Sequence, residues 1–300
     1  MKSGFVAVAG RPNVGKSTLV NTLVGAKVAA VSDKSQTTRR AIRGIVNGEY
    51  EGEPFQLVLV DLPGFQQPRD ALTERMQRRV ERELADCDAA LFVLNGAERS
   101  GAGDRFIARA MRGSGVPVVA AVNKADMLDR AATARALSQA AALEEDGLDL
   151  RAVLPVSALR ATGVGPLVQE LAAILPEGPA YFPNREVSDQ PREIAFAEVV
   201  REQALRRTRE EIPHSIEVKV EEIAERGDLV VVRAVLWVET ESQKGILIGA
   251  HGKMIRSIGT AGRRELEREL GTRVHLDLTV KVRHAWRRDE SLLDRLGIEP

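Results

Sequence analysis

The sequence predicts an α/β fold built on a mostly parallel sheet, followed by a smaller α+β module. Three observations point to it. Short apolar runs alternate with helix-like segments as far as residue 175. A glycine-containing octapeptide, GRPNVGKS at residues 10–17, directly follows the first apolar run. After a proline-rich stretch at residues 176–192, the order of elements changes to α-β-β-α-α-β.

The β-like runs cover residues 5–9, 55–60, 89–94, 116–122 and 152–155; the helix-like segments cover 16–24, 70–84, 103–112, 130–145 and 165–175. Such alternation buries a parallel sheet between two helical layers. Residues 41–47 depart from it, because they reach 55–60 through the short stretch 48–53, which suits a hairpin and an antiparallel edge strand. Residues 27–40 have weak apolar periodicity and several Ser, Thr, Lys and Arg, and read as a long functional surface loop. Four prolines and little periodicity make 176–192 a linker. Beyond it follow a helix at 193–211, strands at 215–223 and 229–239, two helical stretches hinged at 249–252, and a strand at 274–282. The expected domains are 1–176 and 193–300, joined by 177–192.

GRPNVGKS fits the P-loop pattern G-x-x-x-x-G-K-[ST], with Gly10, Gly15, Lys16 and Ser17 at the required places. A buried strand delivers the chain into a loop whose N–H groups turn inward around phosphate oxygens, and the next helix aims its positive end at the same point. Lys16 then reaches the β/γ-phosphates and the Ser17 hydroxyl is a ligand for Mg²⁺. Asn13, Val14 and Thr18 complete the nucleotide-binding set.

Three further elements lie at strand carboxyl ends, where α/β sheets bind ligands. Asp61-Leu62-Pro63-Gly64 offers a carboxylate for the Mg²⁺ shell and a Gly64 N–H for the γ-phosphate. Asn123-Lys124-Ala125-Asp126 offers a carboxylate that can accept both guanine N1–H and the exocyclic amine, a pair adenine lacks. Ser157-Ala158-Leu159 can offer a backbone N–H to guanine O6. Thr37 and Thr38 each supply a hydroxyl that could complete the Mg²⁺ shell. Together these motifs define a GTPase domain binding GTP/GDP and Mg²⁺. A P-loop small-molecule kinase would leave Asn123-Lys124-Ala125-Asp126 unexplained.

GRPNVGKS, the QTTRR loop at 36–40, DLPG, NKAD and the SAL stretch resemble the TrmE–Era–EngA group of bacterial GTPases. That resemblance implies Thr38 as the switch-loop Mg²⁺ ligand rather than Thr37. It implies that Asn123, Lys124 and Asp126 read the base, supported by Ser157 and Ala158. The implied catalytic set is Lys16, Thr38, Gly64 and Asn13. Asn13 matches a P-loop asparagine that helps some relatives bind K⁺; a turn residue stabilising the loop is the other reading. Where many GTPases carry a water-orienting Gln after the D-x-x-G glycine, this chain has Phe65. Gln66 and Gln67 follow, with nothing in the sequence to place either on the water, so slow intrinsic hydrolysis is expected.

Residues 245–255, GILIGAHGKMI, resemble the signature of a type II KH domain, in which a G-x-x-G loop clamps the backbone of about four single-stranded nucleotides. From 244 to 288 there are eleven Lys/Arg against four Asp/Glu, while the whole chain has no net charge. Gly249, Ala250, His251, Gly252, Lys253 and Arg256 form the expected RNA site, with Arg263, Arg264 and Lys281 as further phosphate contacts. The heptad 263–269 reads better as a solvated helix face, and Trp286 is open between base stacking and core packing. With this module, the chain resembles the branch of the group that acts in small-ribosomal-subunit assembly. The resemblance implies RNA rather than DNA as partner, at the 3′ end of 16S ribosomal RNA in the 30S subunit.

Composition agrees with a globular chain: 300 residues, 44% hydrophobic and 29% charged. One cysteine, Cys87, precludes an internal disulfide and fits a reducing compartment. The four histidines lack metal-ligand spacing. No apolar stretch approaches the ~18–20 residues of a membrane span, and no long apolar core of a signal peptide opens the chain. A cytoplasmic monomer without membrane association is expected.

Overall fold

In the computed structural model, residues 1–32, 34, 37–64, 70–208, 212–296 and 298 are described. Strands β1 (Lys2–Ala9), β2 (Ile42–Tyr50), β3 (Glu53–Asp61), β4 (Ala89–Asn95), β5 (Val118–Asn123) and β6 (Leu150–Pro155) form one sheet in the order β2-β3-β1-β4-β5-β6. All pairs are parallel except β2 with β3. The helices are α1 (Lys16–Val24), α2 (Ala71–Asp86), α3 (Ala102–Ser114), α4 (Arg130–Ala141) and α5 (Val164–Ile174). Side chains alternate along β1 as a pleated strand requires: Val6 and Val8 join one core, Ala7 and Ala9 the other. The chain leaves β1 at the point where connections diverge to β3 on one side and β4 on the other, so residues 10–17 open into the crevice where such sheets bind ligands.

Some boundaries differ from the sequence expectation. The β2–β3 hairpin turns on two residues, Glu51 and Gly52, both at positive φ (52° and 81°), so the strands run further than expected. The helix expected over 130–145 stops at Ala141 and continues as a 3₁₀ turn, Ala142–Asp146, ended by Gly147 at φ 86°. Cys87 is buried, and burial pushes its thiol up to about 12, which makes it inert packing.

The second module holds α6 (Arg192–Arg207), α7 (Ile212–Ser215), β7 (Glu217–Arg226), β8 (Leu229–Val238), α8 (Glu241–Ile248), α9 (Lys253–Leu270) and β9 (Arg273–Val282). β8 lies between antiparallel β7 and parallel β9. Val200, Val232, Leu236, Ile258 and Leu266 build its core. A last helix, α10 (Glu290–Arg295), has no counterpart in the sequence reading. Trp286 is fully buried and its indole Nε1 donates to Ser215 O at 3.0 Å, which makes it a core residue and removes it from base stacking. No helix among the described residues is long and apolar enough to cross a membrane.

The proline-rich stretch lies against the first sheet instead of hanging free. Buried Gln56 accepts the N–H groups of Tyr181 and Phe182 at 2.7 and 2.9 Å and donates to Phe182 O at 2.9 Å. Val187 O takes the Ile45 N–H of edge strand β2 at 2.9 Å, which helps cover that edge.

The reading of 27–40 as a surface loop is corrected. Val28, Ala29, Ala30, Thr38, Arg39 and Arg40 are all buried; Asp33, Ser35 and Gln36 lie outside the described residues. Charge can enter the interior here because the second module supplies the counter-charge. Arg39 Nη1 donates to Glu217 Oε2 at 2.7 Å and Ile216 O at 2.6 Å, while Arg40 meets Glu198 at 2.9 Å and Glu217 Oε1 at 3.2 Å. Burial alone would raise the Glu217 carboxyl, but Arg40, Arg39 and Arg201 outweigh it and bring it down to about 2.

Glu217→Ala leaves two buried guanidinium groups under-compensated and is expected to cost about 3–5 kcal/mol in urea unfolding. Because the folded carboxyl titrates below its ordinary 4.5, its contribution is full above that value and is lost as pH falls toward about 2. Urea midpoints across that window should fall less steeply in Glu217→Gln than in the parent.

Candidate nucleotide site and RNA groove

The loop after β1 is shaped by close approaches that only glycine permits. A Cβ on Gly15, at φ 97°, would lie 2.4 Å from Asn123 Nδ2, and one on Gly10 would lie 2.4 Å from Val93 O. Asn13 takes a left-handed turn conformation at φ 65°. Val14 puts its side chain in the core. Lys16 Nζ donates to the carbonyls of Gly10 (3.0 Å) and Arg11 (3.1 Å), spanning the loop that phosphates would fill. Burial lowers its ammonium to about 8, with Asp61 opposing. Thr18, one residue into α1 beyond Ser17, lines the same pocket, as do Asn13 and Gly64.

Three oxygens converge beside Lys16. Ser17 Oγ donates to Asp61 Oδ2 at 2.7 Å and lies 2.9 Å from Thr38 Oγ1, which is 3.3 Å from the same carboxylate oxygen. Burial raises Asp61 to about 6, against Lys16, Ser17 and Thr38. Its other oxygen, Oδ1, is buried without a hydrogen-bond partner. Two hydroxyls and a buried, half-satisfied carboxylate form a hard oxygen donor set that fits Mg²⁺. Thr37, by contrast, bonds to Ser32 and to Lys34 O, away from this cluster. Gly64 packs on Pro12, where a Cβ would come within 3.0 Å. Phe65, Gln66 and Gln67 lie outside the described residues.

The base end is organised by Asn123. Its amide donates to Val14 O at 2.8 Å and accepts the Ala158 N–H at 3.0 Å, so one buried side chain joins the phosphate loop, the 123–126 turn and the 157–159 turn. The asparagine is therefore a strut, and Asp126 is the exposed group beside it. Ser157 Oγ, fully buried, donates to Asp126 Oδ1 at 2.5 Å and fixes the carboxylate's direction. Lys124 stands in a left-handed conformation at φ 65° at the start of the turn.

In the second module, Gly249 and Gly252 sit at φ 70° and 72°, with His251 at 53°, between α8 and α9. A Cβ on Gly249 would lie 2.8 Å from Met254 Cβ. Ala250, His251, Lys253 and Arg256 are exposed, and Arg256 folds back onto the carbonyls of His251 and Gly252. A groove runs on from this loop between α9 and β9, lined by Ile255, Gly259, Thr260, Arg263 and Leu278. The sequence reading missed its β9 wall and Gly259; the polar–apolar alternation along 273–282 was the available signal. Of the expected outer contacts, Arg263 lines the groove, while Lys281 lies 3.6 Å from Glu221.

A P-loop nucleotide pocket with a three-oxygen cation cluster, joined to an α-β-β-α-α-β module with a G-x-x-G turn, defines a GTPase fused to a KH domain. Family models agree: "50S ribosome-binding GTPase" matches residues 5–124 and "KH domain" matches 211–287. The chain is 44% identical to GTPase Era of Mycobacterium tuberculosis H37Rv over 298 residues, covering 98% of each, and similarly to that of Mycobacterium avium. It superimposes with a TM-score of 0.93, at 34% identity and full coverage of both chains, on an Aquifex aeolicus Era variant bound to GDP·AlF4⁻. The same values hold for Era in complex with MgGDPNP and nucleotides 1506–1542 of 16S ribosomal RNA. The chain belongs to the Era family of GTPases.

Gly15→Ala should abolish detectable binding of a fluorescent guanine nucleotide, because strain at φ 97° and the 2.4 Å approach to Asn123 act together. Gly25→Ala, at φ 73° with no atom within 4 Å of the new Cβ, should retain affinity and lose only about 1–2 kcal/mol of stability.

Proposed function

We propose that this chain is a GTP-hydrolysing switch that binds single-stranded 16S ribosomal RNA near its 3′ end and assists assembly of the 30S subunit in the cytoplasm, as a monomer. The supporting observation is the presence in one chain of the Ser17–Thr38–Asp61 cluster and the 249–252 groove, in a fold shared with an Era solved in complex with MgGDPNP and nucleotides 1506–1542 of 16S ribosomal RNA. Residues 1–176 act as the GTPase domain, 177–192 as the connection and 193–300 as the RNA-binding domain.

Backbone N–H groups from Gly10 to Thr18 cradle the phosphates. Lys16 exchanges the Gly10 and Arg11 carbonyls for phosphate oxygens, which restores its charge partner. Ser17 and Thr38 would hold Mg²⁺, with the Asp61 carboxylate behind them. The metal neutralises charge that builds on the phosphate oxygens during transfer. The Gly64 N–H meets the γ-phosphate, and Asn13 either seats a K⁺ ion or simply holds the turn. Asp126, aimed by Ser157, pairs with guanine; Lys124 flanks the base, Asn123 braces its pocket and the Ala158 N–H meets O6. Gly249, Ala250, His251 and Gly252 admit the RNA backbone, with Lys253 and Arg256 on its phosphates. GTP engages Thr38 and Gly64, and the state of these contacts alters how the groove is presented.

Asp126→Asn should exchange GTP for xanthosine triphosphate in a binding titration, because the amide can donate to the carbonyl xanthine carries; undiminished GTP binding would refute the role. For the RNA site, Ala250→Asp with His251→Asp keeps both glycines and faces the phosphates with carboxylates. Affinity for a 16S 3′-end oligonucleotide should fall more than about tenfold, with a shallower salt dependence, while hydrolysis without RNA stays at the parent rate. Parent-like RNA affinity in that folded variant would overturn the groove assignment. Equal RNA affinity with GDP and a non-hydrolysable GTP analogue in the parent would remove the switch.

A further inference from the structure

Much of the segment around Thr38 is held by one helix of the other domain. Glu198, Arg201, Glu202 and Arg206 stand at i, i+3, i+4 and i+8 of α6 and share a face. Glu202 Oε2 accepts the Val31 N–H at 3.0 Å and pairs with Lys27 at 2.9 Å, while Arg206 Nε donates to Val31 O at 3.3 Å. Arg201, with no solvent exposure, donates to the Thr37 carbonyl and is itself gripped by Glu198. On the other side of Thr38, Arg39 is locked on Glu217 and Ile216 O.

Ser17 and Asp61 are placed by α1 and β3, but Thr38 belongs to no helix or strand. Its hydroxyl reaches the cluster because its neighbours are bound on both sides. The Arg201 contact fixes the peptide plane that leads into Thr38, and the Arg39 contact fixes the residue that leads out.

We propose that Arg201, backed by Glu198, is a positioning residue for Thr38, so that the RNA-binding domain supplies part of the geometry of the Mg²⁺ site. This rests on Thr38 being the triphosphate-state Mg²⁺ ligand. Removing the brace leaves the P-loop and the base pocket intact and lets the Thr38 hydroxyl swing away from the metal. The defect should therefore be confined to the triphosphate state and should yield to excess Mg²⁺.

The test titrates Mg²⁺ into the full-length protein with a fluorescent non-hydrolysable GTP analogue and, separately, with fluorescent GDP. Arg201→Lys should raise the Mg²⁺ concentration for half-maximal analogue binding about tenfold, the usual effect of losing an outer partner of a metal ligand, and leave the GDP titration at the parent value. Glu198→Gln, which keeps the shape of the buried cluster, should shift it in the same direction, and thermal melting shows which variants are folded. In a Thr38→Ala background, Arg201→Lys should add nothing, because its effect runs through Thr38. A parent-like midpoint in folded Arg201→Lys and Glu198→Gln would overturn the proposal, as would an equal shift with GDP or full additivity with Thr38→Ala. If Thr38→Ala alone leaves the midpoint unmoved, Thr38 is not the ligand and the role of Arg201 falls with it.

Discussion

A carboxylate with no access to water stays ionised only when positive charge surrounds it, and Glu217 meets that condition through guanidinium groups from the other end of the chain. Arg39 and Arg40 reach it from a segment that has no regular structure of its own, and Arg201 stands close enough to bias its ionisation. The bond ties the first residue of β7 to the residues that follow Thr38. It also recruits the C-terminal tail: Arg39 lies 5.3 Å from the centroid of the Trp286 ring, and Arg40 Nε donates to Leu296 O at 2.7 Å. The first domain alone would leave Arg39 and Arg40 without the carboxylates that balance them, and the second alone would leave Glu217 without the two guanidinium groups bonded to it.

The other phosphate-side segment is tied to the same tail. Asp70, which caps α2 by accepting the Thr73 N–H at 2.9 Å, also pairs with Arg287. Arg75, one turn along, meets Glu290 at 2.7 Å and Asp294 at 2.5 Å and donates to Ile298 O at 3.1 Å. Leu72 and Met76 share a core with Trp286, Leu293 and Ile298. The 37–40 segment and the start of α2 therefore converge on one C-terminal element, although one leads into β2 and the other follows β3.

What was legible in the sequence was local. Gly10, Gly15, Lys16 and Ser17 are fixed by spacing along one strand-to-helix turn, and Asp61, Asn123 and Ser157 by their places at strand ends. The 249–252 turn announced itself through its G-x-x-G spacing, and Gly249, at φ 70° and ψ 169°, takes a conformation essentially reserved for glycine. What depended on distant partners was not legible. Residues 27–40 look polar until Glu198 and Glu217, more than 150 positions away, neutralise the arginines. Trp286 could be placed only once Ser215 O was seen to accept its N–H. Asn123 belongs to a base-reading motif by pattern, yet its amide holds loops together, a use visible only when Val14 and Ala158 stand on either side of it. Glu265 looked like part of a solvated helix face and lies 2.7 Å from Lys27 of the first domain.

The connection between the domains has a mechanical meaning. Gln56 fastens it at Tyr181 and Phe182, Val187 bonds to β2, and Ser188 and Asp189 are held on Arg43 at 2.7 and 2.9 Å. Only Gln190 and Pro191 separate that last fastening from the start of α6 at Arg192. The tether therefore has almost no slack. Were all the contacts between the domains to let go together, the KH domain could turn about residues 190–191 as about a pivot, but it could not drift off. So short an axle keeps the partner surfaces at high local concentration, so each return of the arginines to Glu217 is an event within one molecule and does not depend on protein concentration.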